Sequence, residues 1–174
     1  MIIRTKVVSL AIVFFLALYF PAHASDMSRN LTVPPQRVLP LVFRAADGSD
    51  QSLSDYRGRF VLLNVWATWC PSCVSDMPSL DKLQEYFDTK QLTILPLSVD
   101  SEETAVRAFY RKNGLTRLPL LFDNTMALSL LLGLGGLPTT LLINREGYEV
   151  ARIEGGVNWT SPEVLDFIHR QMLR

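Results

Sequence analysis

The chain has 174 residues, of which 17 are basic and 17 acidic, for a formal net charge of zero. With 48% apolar residues and no run of either charge, it can build one sizeable core and has nothing to draw it to nucleic acid. Its two cysteines, Cys70 and Cys73, cannot form a multi-disulfide scaffold, and with only His23 and His169 to join them they leave a four-ligand zinc site short.

Arg4 and Lys6 precede an apolar run over residues 7–20, broken by Pro21 and followed by Ala22-His23-Ala24, a small-x-small cleavage pattern. This is the layout of a secretory signal. The run has 14 residues, against about 20 for a membrane span. Residues 1–24 are therefore expected to be a signal peptide or, if uncleaved, an N-terminal membrane anchor. In either case the globular part is exported, to the periplasm or another extracytoplasmic space. Residues 25–40, polar and carrying Pro34, Pro35 and Pro40, read as a linker.

The next elements are expected in chain order. A short strand lies around Leu41-Val42-Phe43, with a hairpin turn at Asp47-Gly48 and a second turn at Gly58. Residues 60–66 are apolar except for Asn64 and read as a buried central strand. From Cys70 to about residue 89, Cys73, Met77, Leu80, Leu83 and Phe87 recur at helical spacing, with Pro78 inside the helix. Residues 92–99 form the next buried strand. Asp100 is placed to cap the following helix, with Glu103 as its capping-box partner and Gly114 as the stop. A strand over 118–122 is interrupted by Pro119, and Asp123 opens a short apolar helix whose Met and Leu positions at 126–134 read as core. Two strands, 139–143 and 149–153, are joined by a hairpin at 144–147. Ser161-Pro162-Glu163 starts the last helix, on which His169 reads as a surface residue. The order implies an α/β fold, a mixed sheet flanked by helices.

The chemistry concentrates at Trp69-Cys70-Pro71-Ser72-Cys73. Cys70 falls where a strand ends and a helix begins. There the unpaired backbone N–H groups carry partial positive charge and favour a thiolate, the species that attacks disulfides. Cys70 is thus expected to be the exposed nucleophile. Cys73, one turn further on the apolar face, is expected to be the buried resolving thiol. Asp76, three residues beyond, is either the base that takes the Cys73 proton, directly or through water, or a solvated surface acid in the second helical turn. As a mere staple the pair would close too short a loop to stabilise the chain much.

Val65-Trp66-Ala67-Thr68-Trp69-Cys70-Pro71-Ser72-Cys73, Pro78, and the distant Gly136-Leu137-Pro138-Thr139-Thr140 resemble the thioredoxin superfamily. Within it, the chain is most similar to the TlpA/ResA-like exported thiol-disulfide oxidoreductases, whose N-terminal hairpin resembles residues 47–58. The resemblance implies a thioredoxin-like domain over 41–174, with a central mixed β-sheet and an extra N-terminal β-hairpin. It implies that Pro138 is a cis proline facing the active site, and that Leu137 offers backbone groups to an extended substrate. Trp69, Pro71 and Leu137 would form a shallow apolar surface around Cys70. Two residues depart from the pattern. Asn64 stands where thioredoxin has a buried Asp, and Asp76 stands where TlpA/ResA-like proteins often have a Glu.

The resemblance also implies a reductase of protein disulfides, for example in cytochrome c maturation or metal-site assembly. Such a reductase would need no cofactor beyond the Cys70–Cys73 dithiol/disulfide and would be recharged by a membrane thiol-disulfide donor. A thiol oxidase or isomerase of the same fold stays open. So does a copper-binding chaperone using the two soft thiols, for which His169 is the one mature histidine. A thiol peroxidase using Thr68 fits the CxxC format less well.

Overall fold

The computed structural model describes residues 31–123 and 127–174. The expected leader at 1–24, residues 25–30 of the expected linker, and Met126 lie outside the described residues.

Among the described residues eight strands form one mixed sheet: β1 (Leu31–Arg37), β2 (Val42–Ala45), β3 (Asp50–Ser52), β4 (Phe60–Trp66), β5 (Leu92–Ser98), β6 (Leu121–Phe122), β7 (Thr139–Ile143) and β8 (Tyr148–Glu154), in the order β1-β8-β7-β4-β5-β6-β2-β3. The helices α1 (Pro71–Leu83), α2 (Glu103–Asn113), α3 (Ala127–Leu131) and α4 (Pro162–Met172) flank it. All seven residues of β4 are buried, as its uninterrupted apolar run requires of a strand covered on both faces. It runs parallel to β5 and antiparallel to β7. Its one polar side chain, Asn64, sits opposite Thr140 in register and donates from Nδ2 to Thr140 Oγ1 at 2.8 Å. A polar group in the middle of the core is thereby satisfied.

The hairpin β2–β3 forms as expected, with Gly48 at φ 85° in the turn and Asp47 accepting the Ser49 N–H. On α1, Cys73, Met77, Leu80 and Leu83 are all buried, and Pro78 lies inside the helix without ending it. Trp66 packs its ring at 5.2 Å from Phe109 and 6.2 Å from Tyr110. Trp159, ahead of α4, is fully buried. His169 is exposed and lies against the Phe87 ring.

Several expectations give way to tertiary contacts. Part of the expected linker is a strand: β1 pairs antiparallel with β8, with a register shift between Leu31 and Gln36. Pro34 and Pro35 have no N–H to give, which confines such a strand to a sheet edge, where β1 lies. The helix expected to reach residue 89 stops as an α-helix at Leu83 and gives way to a 3-10 turn, Gln84–Tyr86. Gln84 is drawn to β5, accepting the Ile94 N–H and donating to the Leu92 carbonyl. The strand expected over 118–122 shrinks to two residues; Pro119 cannot donate to a ladder, and its carbonyl takes the Tyr110 hydroxyl instead.

Asp100 does not cap α2. That helix starts at Glu103 with Glu102 at the N-cap position and no side-chain cap, because the Asp100 carboxylate is engaged elsewhere. Asp123 does serve its helix, accepting the Leu128 N–H at 2.8 Å. The apolar stretch that follows is only partly core. Leu128 is buried, whereas Leu130 and Leu131 are 83% and 61% exposed, since so short a helix turns one face inward.

Candidate active site

Cys70 is the N-cap residue of α1, with extended backbone, and Pro71 occupies the first turn. Pro71 needs no partner there, because first-turn N–H groups have no intrahelical acceptor. The Cys73 N–H points at Cys70 Sγ at 3.2 Å, and the Ser72 hydroxyl lies 3.5 Å from the same sulfur. The sulfur therefore sits at the positive end of the helix with two donors around it, an arrangement that stabilises negative charge on it. Cys70 and Cys73 are joined as a disulfide, with Cα atoms 5.2 Å apart.

Cys73 is 1% exposed, as the apolar helical face requires. Cys70 was expected to be exposed and is not: it keeps 6% of its surface, because its sulfur is turned inward onto Cys73 and the start of the helix. The exposed groups at the motif are its neighbours, Trp69 at 63% and Pro71.

Asp76 is buried, not a solvated surface acid. Its Oδ2 accepts the Val157 N–H at 3.1 Å, and Gly156 lies so close that a Cβ there would come within 2.8 Å of Oδ1. Burial pushes its carboxyl above the ordinary carboxylate range, and the hydrogen bonds from the Val157 N–H and from Ser75 oppose that only in part. Asp76 also lines an open cleft of about 590 Å³ between α1 and the segment after β8, together with Ser72, Ser75, Ser79, Gly156 and Val157.

The Leu137–Pro138 peptide is cis, Pro138 is buried and Leu137 half-buried. Thr139 pairs with Val65 in the β4–β7 ladder, which puts this peptide at the same end of the sheet as the loop leading into Cys70. The Pro138 carbonyl accepts the Gly155 N–H at 2.9 Å. Residues 155–159 thus form a strap: Gly155 holds the proline loop, Val157 holds Asp76, and the Trp159 N–H donates to Ser79 Oγ at 3.1 Å. From the other end of that loop, Arg152 on β8 donates twice to the Leu132 carbonyl and forms an ion pair with the buried Glu149.

Gly156, Val157 and Asp100 were not picked out as site residues from the sequence. The parallel register Trp66↔Ser98, extended by two residues, sets Thr68 beside Asp100. The central strand supplies no acid, since Asn64 is committed to Thr140. Among the described residues no group of three or more His, Cys, Asp or Glu side chains is placed to hold a metal ion.

A dithiol/disulfide pair at a helix N-terminus, at the same end of a mixed sheet as a cis proline, defines a thiol-disulfide oxidoreductase of the thioredoxin superfamily. The chain belongs to the Redoxin family, whose model matches residues 30–168, and within it to the TlpA/ResA-like proteins. It is 30% identical to the thiol-disulfide oxidoreductase ResA of Geobacillus thermodenitrificans over 148 residues, covering 84% of this chain and 83% of that one. It is also 30% identical to ResA of Geobacillus kaustophilus over 157 residues, covering 90% and 87%. The fold is shared with a secreted thiol-disulfide isomerase of Corynebacterium glutamicum at TM-score 0.70 and 24% identity, covering 80% of this chain and 87% of that one. It is shared as well with a thiol:disulfide interchange protein DsbE of Chlorobium tepidum at TM-score 0.68 and 23% identity, covering 80% and 94%.

Proposed function

We propose that the chain is an extracytoplasmic reductase of protein disulfides, exported by its N-terminal segment and either released or anchored there. In this reading the reduced Cys70 thiolate attacks one sulfur of a substrate disulfide. That S–S bond breaks, the departing substrate thiolate takes a proton, and a mixed disulfide remains on Cys70. Cys73 gives its proton to Asp76 and attacks Cys70 Sγ. The mixed disulfide breaks, the second substrate thiol leaves, and the pair is left oxidised. Two electrons have passed to the substrate, and a dithiol on a membrane donor returns them. The extended substrate lies along Leu137 at the cis Pro138, held by main-chain hydrogen bonds, with Trp69 and Pro71 as its apolar contacts. No further cofactor is required.

The observation that carries this reading is the buried carboxyl of Asp76. It lies one helical turn beyond Cys73, on a cleft, with a raised affinity for a proton. A base of that kind suits a buried thiol that must be deprotonated before it can resolve. The named relatives support disulfide exchange, and the direction of exchange follows from the potential of the pair.

Superfamily potentials run from about −270 to −120 mV. Equilibration of the Cys70–Cys73 pair with glutathione is expected to place it near the reducing end. A value near −120 mV would make the chain an oxidase and overturn the proposal. A Cys73→Ala variant expressed in the native cell is expected to trap substrates as mixed disulfides on Cys70, apocytochrome c or a protein whose metal-site cysteines await reduction among them. Stoichiometric copper binding by the reduced protein, with no mixed disulfides trapped, would point to a copper chaperone instead.

A further inference from the structure

Asp100 is 4% exposed, and its carboxylate holds the loop after β4 and the end of β5. Oδ2 accepts the Thr68 N–H at 2.9 Å and the Ser98 hydroxyl at 2.8 Å, while Oδ1 accepts the Thr68 hydroxyl at 2.5 Å. The Asp100 N–H returns to Ser98 Oγ at 3.1 Å, which fixes the serine hydroxyl as a donor to the carboxylate. The Val99 N–H also donates to the Trp66 carbonyl at 3.0 Å, so β4 and β5 stay bonded past their ends as far as this cluster.

Thr68 lies inside the turn that delivers the nucleophile. The Cys70 N–H donates to the Ala67 carbonyl at 3.2 Å, closing residues 67–70. Thr68 is gripped at both its backbone and its side chain, and the next two residues are the exposed Trp69 and then Cys70. In the oxidised state Cys70 is also held by its bond to Cys73. Reduction removes that bond. Thereafter the backbone of Cys70 is held between α1 on one side and the Ala67–Cys70 turn on the other. Keeping Sγ under the Cys73 N–H then depends on the turn staying where it is.

We infer that Asp100 is a positioning residue for disulfide exchange, acting through Thr68 to hold the Cys70 turn in register with the start of α1. Two charge-assisted hydrogen bonds from one residue to a buried carboxylate make a stiffer anchor than a neutral side chain would. The inference rests on Cys70 being the attacking sulfur.

The test is the rate at which the reduced protein attacks oxidised glutathione, read together with thiolate absorbance against pH and the melting temperature. Thr68→Val removes one of the two bonds while leaving Asp100 in place, and is expected to slow attack about tenfold even where Cys70 is fully ionised, because the sulfur is misplaced. Asp100→Asn is expected to slow it about as much, and the double variant hardly further, because both act through the same contact. Thr68→Ser keeps both donors and is expected to stay within about twofold of the parent.

Additive losses, failure of Thr68→Ser to rescue, or a lowered melting temperature with an unchanged rate would each overturn the inference. A Cys73→Ser and Cys70→Ser pair, tested in the same assay, separates the two levels. If Cys73 proves to be the attacking sulfur, the reading of the site fails. If Cys70 attacks at the parental rate in the Thr68→Val protein, only the role of Asp100 fails.

Discussion

Asp76 Oδ2 accepts the backbone N–H of Val157 at 3.1 Å, joining α1 to the strap after β8 across 81 residues of sequence. That bond holds an acid inside the protein beside the cysteine helix. It also links the acid to the loop of the cis proline, because the same strap donates from Gly155 to the Pro138 carbonyl.

The seat of Asp76 has a pH signature. Its carboxyl is raised above the ordinary value of 3.8, with burial as the main cause. A raised acid binds its proton more tightly in the folded state than in the unfolded one. Its favourable contribution is complete below pH 3.8 and is lost as pH rises through the folded value. Asp76→Asn keeps an acceptor for the Val157 N–H and removes the charge. The variant is therefore expected to be more stable than the parent at pH 7, with the difference shrinking toward pH 4. Urea unfolding across that range checks it, and a parent more stable than the variant at pH 7 would show the sign to be wrong. The variant is expected to resolve mixed disulfides more slowly over the same range.

Gly156 is where a side chain is excluded. A Cβ there would lie 2.8 Å from Asp76 Oδ1, whereas at Gly135 the nearest atom, Glu154 Oε1, lies at an ordinary 3.8 Å. Gly156→Ala is expected to cost about 1–3 kcal/mol by overpacking and to shift the pH dependence attributed to Asp76. Gly135→Ala is expected to be close to neutral. Equal stabilities for the two variants would remove the close approach as a constraint.

Asn64→Asp restores the central-strand acid of thioredoxin, but into a site built around an amide donor. The Asn64 Nδ2–Thr140 Oγ1 bond must reverse, and the new carboxyl stands where the side chain is 1% exposed. The variant is expected to lose about 1–3 kcal/mol at pH 7 and to recover part of this in acid as the group protonates. Unfolding at two pH values measures it, and an unchanged stability at pH 7 would mean that water reaches the site.

Arg152 ties the α3–β7 loop to β8 through the Leu132 carbonyl and the buried Glu149. Arg152→Leu removes a half-exposed cation from a buried acid and is expected to destabilise the fold by about 1–3 kcal/mol, the ion pair being partly open to solvent. It is also expected to raise hydrogen exchange in the loop that precedes Pro138. If exchange in residues 133–137 stays at the parental level, the loop is held by other contacts.

The central strand, the cysteine helix, the N-terminal hairpin and the last β-hairpin were legible from the sequence, because each is written in local period, turn residues and flanking glycine or proline. Cys70 and Cys73 were legible for the same reason: their spacing and the strand-to-helix junction are both local. Leu137–Pro138 was legible only through family resemblance, since Leu-Pro after glycines by itself reads as an ordinary turn. Asp100 was misread as a cap, because Asp100-x-x-Glu103 matches the capping box and nothing local reveals that Thr68 competes for the carboxylate. The core reading of the Met and Leu positions at 126–134 holds for Leu128 and fails for Leu130 and Leu131, because composition does not say which side of a short helix meets the sheet.

The sequence by itself determined that a redox-active pair sits at the head of a helix behind a buried strand, in a chain whose first residues carry the marks of export. Tertiary structure alone decided whether Asp76 is inside or outside and what Asp100 holds. The physical reason is distance along the chain. Those contacts join residues 32 and 81 positions apart, and they exist only once β4, β5 and β7 have taken one register and β8 has brought its strap back across α1.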